Sequence, residues 1–181
     1  MHIFAKSALG TMMLCSSVAA AQAQDTYNPT LLDEELSIIE NAAKIPELTT
    51  FVEALMASEI AAELIEGGDY TVFAPTNEAF EYLPDGRIDA LLEPENADEL
   101  AEILGLHVAG SPLRAEDLEA KVASAGPIET LQEDSALTVA EIEGQLHLQP
   151  PQGDQDAVAI LIPDIVAANG VIHVINRVMI P

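Results

Sequence analysis

The chain has very few residues that could cross-link it or stack against a flat ligand. It contains no tryptophan, three tyrosines and a single cysteine, Cys15. One cysteine excludes a disulfide framework within the chain. The shortage of aromatic rings also argues against a carbohydrate site built on stacking. A fold of this composition has to be stabilised by packing alone.

Basic residues are scarce as well. Six lysines and arginines face 31 aspartates and glutamates, so the formal charge is −25. A surface of this kind repels nucleic acid and anionic lipid headgroups, which argues against both as partners. The charge has two explanations. We favour solubility in a saline habitat, where salt screens self-repulsion, and weak contact with divalent cations is the alternative.

The first 23 residues have the features of a secretory signal peptide. Lys6 supplies the positive start, residues 8–21 form a small-residue apolar run, and Ala21 and Ala23 occupy the positions that a signal peptidase reads. The run is shorter than the ~20 apolar residues that a bilayer requires. Leu14 stands where a lipid-anchoring motif at Cys15 would need a small residue. We therefore predict cleavage before Gln24 and export to the periplasm, the cell surface or the extracellular space.

Removing the 23-residue leader from 181 residues leaves 158, with no cysteine and a formal charge of −26. That length suits one domain with a sizeable core. No apolar run in this mature part is long enough to span a membrane. We predict a short lead segment over 24–32 and a single domain over 33–181.

Apolar periodicity predicts helices in the first half of this domain and strands in the second. Thr30 is a candidate N-cap for the first helix, Thr76 is a candidate N-cap for a helical turn through Phe80, and Asn96 with Glu99 forms a second capping-box pattern. Glu143-Gly144 separates two alternating segments and predicts a hairpin. Helices that precede strands indicate the α+β class. The predicted helices cover 32–43, 48–56, 58–65, 76–80, 96–108 and 115–122, and the predicted strands cover 70–73, 137–142, 145–148, 157–163 and 170–180.

Two segments carry more specific information than these patterns. They are TVFAPTNEAF from Thr71 and ANGVIHVINRV from Ala168, and between them lies ILGLHVAG from Ile103. Together they resemble the two homology boxes and the central Tyr-His region of the fasciclin domain, over about 33–181. The resemblance implies a fasciclin-like fold with N-terminal helices packed on a wedge of two β-sheets. It further implies a role in adhesion or matrix contact, with no catalytic apparatus and no cofactor.

The resemblance also provides candidate partner-binding residues. Leu106 and His107 stand where relatives have Tyr-His, so the phenolic hydroxyl is missing. Pro163, Asp164 and Ile165 resemble part of a Pro-Asp-Ile adhesive motif, although Ile162 precedes them where that motif has an acid. The partner implied is a cell-surface or matrix protein, or a polysaccharide.

Other chemistry-bearing residues give weaker patterns. We interpret His107 as a buried neutral histidine and His173 as a core residue of a strand, and the histidines lack zinc-motif spacing. Asp154 and Asp156 could contact Ca²⁺ from a loop, but no EF-hand pattern surrounds them. The Gly-x-Ser-x-Gly pattern that surrounds the nucleophile of many serine hydrolases is absent from the sequence. Two alternatives stay open: an exported acidic protein that binds or buffers divalent cations, and a hydrolase with a carboxylate pair.

Overall fold

The computed structural model describes residues 33–83, 86–91, 93–132, 135–150 and 157–180. Within them, short 3-10 turns at Pro46–Leu48 and Pro94–Asn96 lead directly into two of the helices. The α-helices are α1 (Ile38–Ala42), α2 (Thr49–Ala57), α3 (Ile60–Glu66), α4 (Asn77–Glu81), α5 (Arg87–Leu91), α6 (Ala97–Leu106) and α7 (Ala115–Ser124).

The first helix begins later than the sequence pattern predicts. Ser37 is its N-cap: the Ser37 hydroxyl accepts from the backbone N–H of Glu40, and the Glu40 carboxylate accepts from the backbone N–H of Ser37. Asp33 lies in the turn before it and accepts from the N–H of Glu35. Thr30 lies outside the described residues. The prediction of a helix from about residue 32 was wrong because the capping box at 37–40 fixes the start.

Two other capping predictions had opposite outcomes. The Thr76 hydroxyl accepts from the N–H of Ala79 and caps α4, as predicted. Asn96 does precede α6, but its side chain makes no cap hydrogen bond; its amide donates instead to the carbonyl of Ala90 at 2.7 Å. The predicted capping box of Asn96 with Glu99 was therefore wrong. The amide of Asn96 ties α6 to the end of α5.

Seven strands form the β part of the described chain, in the spatial order β2-β1-β7-β6-β5-β4-β3. The predicted hairpin is confirmed, with Val139 opposite Leu148 and a turn in which Glu143 and Gly144 both have positive φ. The strands are β1 (Tyr70–Pro75), β2 (Val108–Ala109), β3 (Ile128–Glu129), β4 (Ala136–Ile142), β5 (Gln145–Gln149), β6 (Val158–Ala167) and β7 (Gly170–Ile175). Thus β6 is longer than predicted and β7 ends five residues earlier than predicted.

The two ends of this strand order meet. Ala109, at the end of β2, bridges Thr130, which follows β3, and Leu131 donates to the carbonyl of Val108 at 2.8 Å. β6 joins the two halves of the wedge, because its first residues pair with β5 and the rest pairs with β7. Both short outer strands are therefore covered, which limits pairing with another chain at these edges.

Two apolar clusters form the core of the part of the chain that the structure describes. One lies between the helices and the sheet and includes Phe51, Leu64 and Ile172; the other lies within the wedge and includes Phe73, Leu137 and Leu148. All six residues of β7 are buried, which explains its unbroken apolar run. The α+β class, with helices packed on strands, is confirmed.

None of the helices within the described residues is both long enough and apolar enough to cross a bilayer.

Candidate contact surface

The candidate residues 163–165 lie on an irregular stretch of β6. The pairing of β6 with β7 shifts register between Ile160 and Ile162 and again between Ile162 and Ile165. Asp164 has φ +58°, a conformation that a few residues such as aspartate tolerate best. Pro163 and Asp164 are exposed, whereas Ile165 is buried in the core between helices and sheet. The bulge therefore turns two of the three residues outwards.

The carboxylate of Asp164 binds the start of a distant helix. Its Oδ1 accepts from the backbone N–H of Ala115, the first residue of α7, at 2.8 Å. A negative charge at this position is favourable because the free N–H groups of a helix N-terminus carry partial positive charge. The backbone N–H of the preceding residue, Arg114, donates to the carboxylate of Asp117 at 3.0 Å. Asp164 thus connects the bulge of β6 to α7.

His173 holds the backbone of the same bulge. Its Nδ1 accepts from the N–H of Asp164 at 3.2 Å, so Nε2 must carry the proton, which it donates to the carbonyl of Leu113 at 2.7 Å. The ring stacks on Phe73 with 5.6 Å between centroids. Burial lowers the pKa of His173, although the Leu113 carbonyl and the Asp164 charge act in the opposite direction. A neutral ring can keep both hydrogen bonds.

Thr71 fixes the loop that runs beside the bulge. Its hydroxyl donates to the carbonyl of Ser111 at 2.7 Å and accepts from the N–H of Leu113 at 2.6 Å. The side chain of Leu113 is itself buried in the core, which anchors the loop to the sheet. Together with His173, these contacts hold residues 111–114 rigidly against the sheet.

The exposed residues of this loop and of the bulge form one patch, which we call the bulge surface: Ser111, Pro112, Arg114, Pro163 and Asp164. It presents one cation, one carboxylate and two proline rings. Two prolines reduce the conformational entropy that the patch would lose on binding. Such a preorganised patch can dock a macromolecule without first being ordered.

The other two candidate residues lie inside the protein. Leu106 is fully buried within the wedge, and His107 is 1% exposed. His107 Nδ1 donates to the carbonyl of Ile103 at 2.7 Å, and Nε2 accepts from the N–H of Met179 at 3.0 Å. Burial lowers the pKa of His107 to about 4. The buried neutral histidine that the sequence predicts is confirmed, and the structure gives it two hydrogen bonds.

The structure therefore brings Pro163 and Asp164 together with residues that the sequence did not single out. Ser111, Pro112 and Arg114 follow the central box, in a segment with neither helical nor strand periodicity. The only sequence signal there is Pro112, which favours a loop. Their place beside Asp164 depends on the hydrogen bond to Ala115, which spans 49 residues.

Within the described residues, no three histidines, cysteines or carboxylates converge as a metal site. Asp154 and Asp156, the candidate Ca²⁺ contacts, lie outside those residues. Two arginines have contacts away from the bulge surface: Arg87 forms an ion pair with Glu99, and Arg177 lies 4.8 Å from the centre of the Tyr82 ring.

Comparison with known proteins gives consistent results over most of the chain. The sequence profile of the Fasciclin domain matches residues 46–181. Protein sll1483 of Synechocystis sp. is 33% identical over 170 residues, covering 91% of this chain and 87% of that protein. The transforming growth factor-beta-induced protein ig-h3 of Sus scrofa is 38% identical over 130 residues, which cover 72% of this chain but 17% of that longer protein.

A solved structure has the same fold. The FAS1 domain pair from the insect cell adhesion molecule Fasciclin I superposes with a TM-score of 0.70 at 17% sequence identity. The match covers 81% of this chain and 51% of that one. At this identity the likeness concerns the arrangement of helices and strands.

Proposed function

This chain belongs to the fasciclin domain family, and from that premise we propose that it is an exported, non-catalytic contact module. Its partner is a protein or polysaccharide of the cell surface or the surrounding matrix. The signal peptide that the sequence predicts over residues 1–23 supports export. The solved domain pair of the same fold is described as part of an insect cell adhesion molecule, and the contact role of this chain is proposed by analogy with it.

The observation that carries this proposal is the rigid exposure of Pro163 and Asp164. Asp164 is bound through its carboxylate to α7 and through its N–H to His173, and its position does not depend on a partner. A contact module needs a fixed outer shape, and the bulge surface provides one. We assign partner contact to this patch.

The environment of the buried histidines supports a non-catalytic role. Both ring nitrogens of His107 and both of His173 are engaged with backbone groups. A general base needs a free nitrogen within reach of substrate. Neither ring offers one without breaking a contact that holds the fold.

Surface attachment of the producing cells tests the proposal. Deleting the gene should reduce attachment, and returning the wild-type gene should restore it. Asp164→Asn is the informative variant, because asparagine tolerates positive φ and its amide oxygen can still accept from Ala115. It removes only the charge, and we expect it to restore attachment incompletely. Glu141→Gln is the matched control, since Glu141 is exposed on β4 and the charge change is the same.

The outcomes separate two questions. Wild-type attachment by the deletion strain would contradict the contact role itself. Full restoration by Asp164→Asn would leave the contact role standing and contradict the assignment to the bulge surface.

A further inference from the structure

The ring of His173 joins the two segments that form the bulge surface. His173 lies on the fully buried β7, opposite Phe73 of β1 on one side and beside the second register shift of β6 on the other. Its Nδ1 accepts from the N–H of Asp164, and its Nε2 donates to the carbonyl of Leu113. A single side chain from the core therefore holds both the bulge and the loop 111–114.

The bulge has a backbone conformation that its surroundings must maintain. Asp164 has φ +58°, which residues other than glycine seldom adopt without supporting contacts. Two contacts give that support: the N–H of Asp164 binds His173, and the carboxylate of Asp164 binds the N–H of Ala115. Loss of either contact should allow this segment to move away from the sheet.

Protonation of the ring would break the first of these contacts. Nδ1 accepts only while it carries no proton, and in the imidazolium both ring nitrogens are donors. The new N–H of His173 would then point at the N–H of Asp164, so two donors would face each other. The bond from Nε2 to Leu113 would persist, because a charged donor binds a carbonyl more strongly than a neutral one. Protonation would therefore displace the bulge while the loop stays attached to the ring.

The groups around the ring determine when it takes up a proton. Burial disfavours the charged ring and lowers the pKa of His173, whereas the carbonyl of Leu113 and the carboxylate of Asp164 act in the opposite direction. Asp164 on β6 and Arg114 in the loop are the charged residues of the segments that contact the ring. On this face β1 presents uncharged side chains, Phe73 among them.

These pKa values couple the bulge to pH. When the bulge opens, water reaches Nδ1, and a solvated imidazole has a pKa of about 6.5. The closed form has a lower pKa, so it stays unprotonated further into the acidic range. The closed form is therefore fully stable above pH 6.5. Below that pH the ratio of closed to open bulge should fall by up to about tenfold per pH unit, until the pH reaches the pKa of the closed form.

We propose that His173 is a pH-sensitive switch of the bulge surface. At neutral pH the ring holds Asp164 in the conformation that contacts the partner, and in acidic surroundings protonation of Nδ1 releases Asp164 and weakens the contact. The control of contact rests on the function proposed above. The switch itself is a property of the fold and can be measured without a partner.

Amide exchange of the purified protein between about pH 7.5 and 5, followed by NMR and corrected for the intrinsic pH dependence of exchange, tests the switch. Protection of the Asp164 N–H should fall by up to about tenfold per pH unit below pH 6.5, relative to that of α2. The helix α2 contains no histidine and reports global unfolding. The N–H of Ala115 should follow, because its acceptor is the carboxylate of Asp164. Equal changes in the bulge and in α2 would overturn the proposal.

Three variants identify the group that senses pH. His173→Gln keeps a donor and an acceptor but does not titrate, so the protection of Asp164 should follow that of α2 at every pH. Asp164→Asn keeps the N–H that binds His173 and should keep the pH response. His147→Gln, on β5, is the matched control and should also keep it.

Each variant has an outcome that contradicts the proposal. A wild-type pH response in His173→Gln would exclude the ring as the sensor. Loss of the response in Asp164→Asn would assign it to the carboxyl group of Asp164, and loss in His147→Gln would assign it to β5. If His173→Gln does not fold, the other two variants still decide, because both leave His173 as the titrating side chain that contacts the bulge.

Attachment of cells at pH 7 and pH 5.5 tests the control of contact. Cells with the wild-type gene should lose severalfold more attachment at pH 5.5 than cells with His173→Gln. Equal losses would contradict the control of contact by pH. Undiminished attachment of the deletion strain at pH 7 would instead contradict the contact role, whereas the switch is judged by amide exchange alone.

Discussion

His107 and Met179 are 72 residues apart in the sequence, and the backbone N–H of Met179 donates to Nε2 of His107 at 3.0 Å. This bond fastens the segment after β7 to the end of α6. It exists only while the histidine is neutral, because a protonated Nε2 has no lone pair with which to accept. Burial keeps the ring neutral by lowering the pKa of His107 to about 4.

The first prediction concerns pH. The unfolded His107 takes up a proton near pH 6.5, whereas the folded one resists protonation down to about pH 4. Its contribution to the free energy of unfolding is therefore complete above pH 6.5 and is lost as the pH falls towards 4, by about 3 kcal/mol in total. Urea unfolding at several pH values between 7 and 4 measures this loss. His107→Gln should be less stable at pH 7 and should flatten the pH dependence; an unchanged slope would contradict this.

The second prediction concerns the turn between β6 and β7. Gly170 has φ +145°, and a Cβ placed there would lie 1.9 Å from the carbonyl oxygen of Tyr70. The contact is with backbone, which a rotamer change cannot relieve. Gly170→Ala should therefore cost at least ~4 kcal/mol and yield little folded protein. Gly144→Ala is the control: Gly144 also has positive φ, but nothing lies within 4 Å of its added Cβ. Its cost should be about 1 kcal/mol by thermal melting.

The third prediction concerns salt. The formal charge of −25 destabilises the compact state through repulsion among exposed carboxylates, and monovalent salt screens that repulsion. The melting temperature should rise between about 20 mM and 500 mM NaCl, where the Debye length falls severalfold. Differential scanning calorimetry measures it. Equal melting temperatures would mean that the acidic residues are far enough apart, or well enough paired, for repulsion to be negligible.

The elements that short-range patterns determine were predictable from the sequence. The β4–β5 hairpin follows from alternation around Glu143-Gly144, and the α4 cap follows from Thr76 at the end of an apolar strand. The start of α1 was not predictable in this way, because Thr30 and Ser37 both match an N-cap pattern and the pattern alone does not rank them. The reciprocal bonds of Ser37 with Glu40 set the boundary.

The site was less predictable than the fold. Exposure of Pro163 and Asp164 depends on two register shifts in β6, and strand periodicity assumes that there are none. The loop beside them is fixed by Thr71 and His173, whose positions in buried strands suggest packing roles only. Polar groups on a core strand that bond to a distant loop leave no periodic trace in the sequence.

The final prediction tests whether Thr71 supports the bulge surface. Thr71→Val keeps the shape of the side chain but removes the hydroxyl that bonds to Ser111 and Leu113. The buried N–H of Leu113 then lacks an acceptor, so the free energy of unfolding should fall by about 1–3 kcal/mol. Amide exchange of Ser111, Leu113 and Arg114 should accelerate more than that of the β4–β5 hairpin. Thr138→Val, at an exposed position of β4, is the matched control. It should change neither the free energy of unfolding nor the amide exchange of the loop. If exchange accelerated evenly across the protein in Thr71→Val, the hydroxyl would contribute to global stability alone, and the rigidity of the bulge surface would need another source.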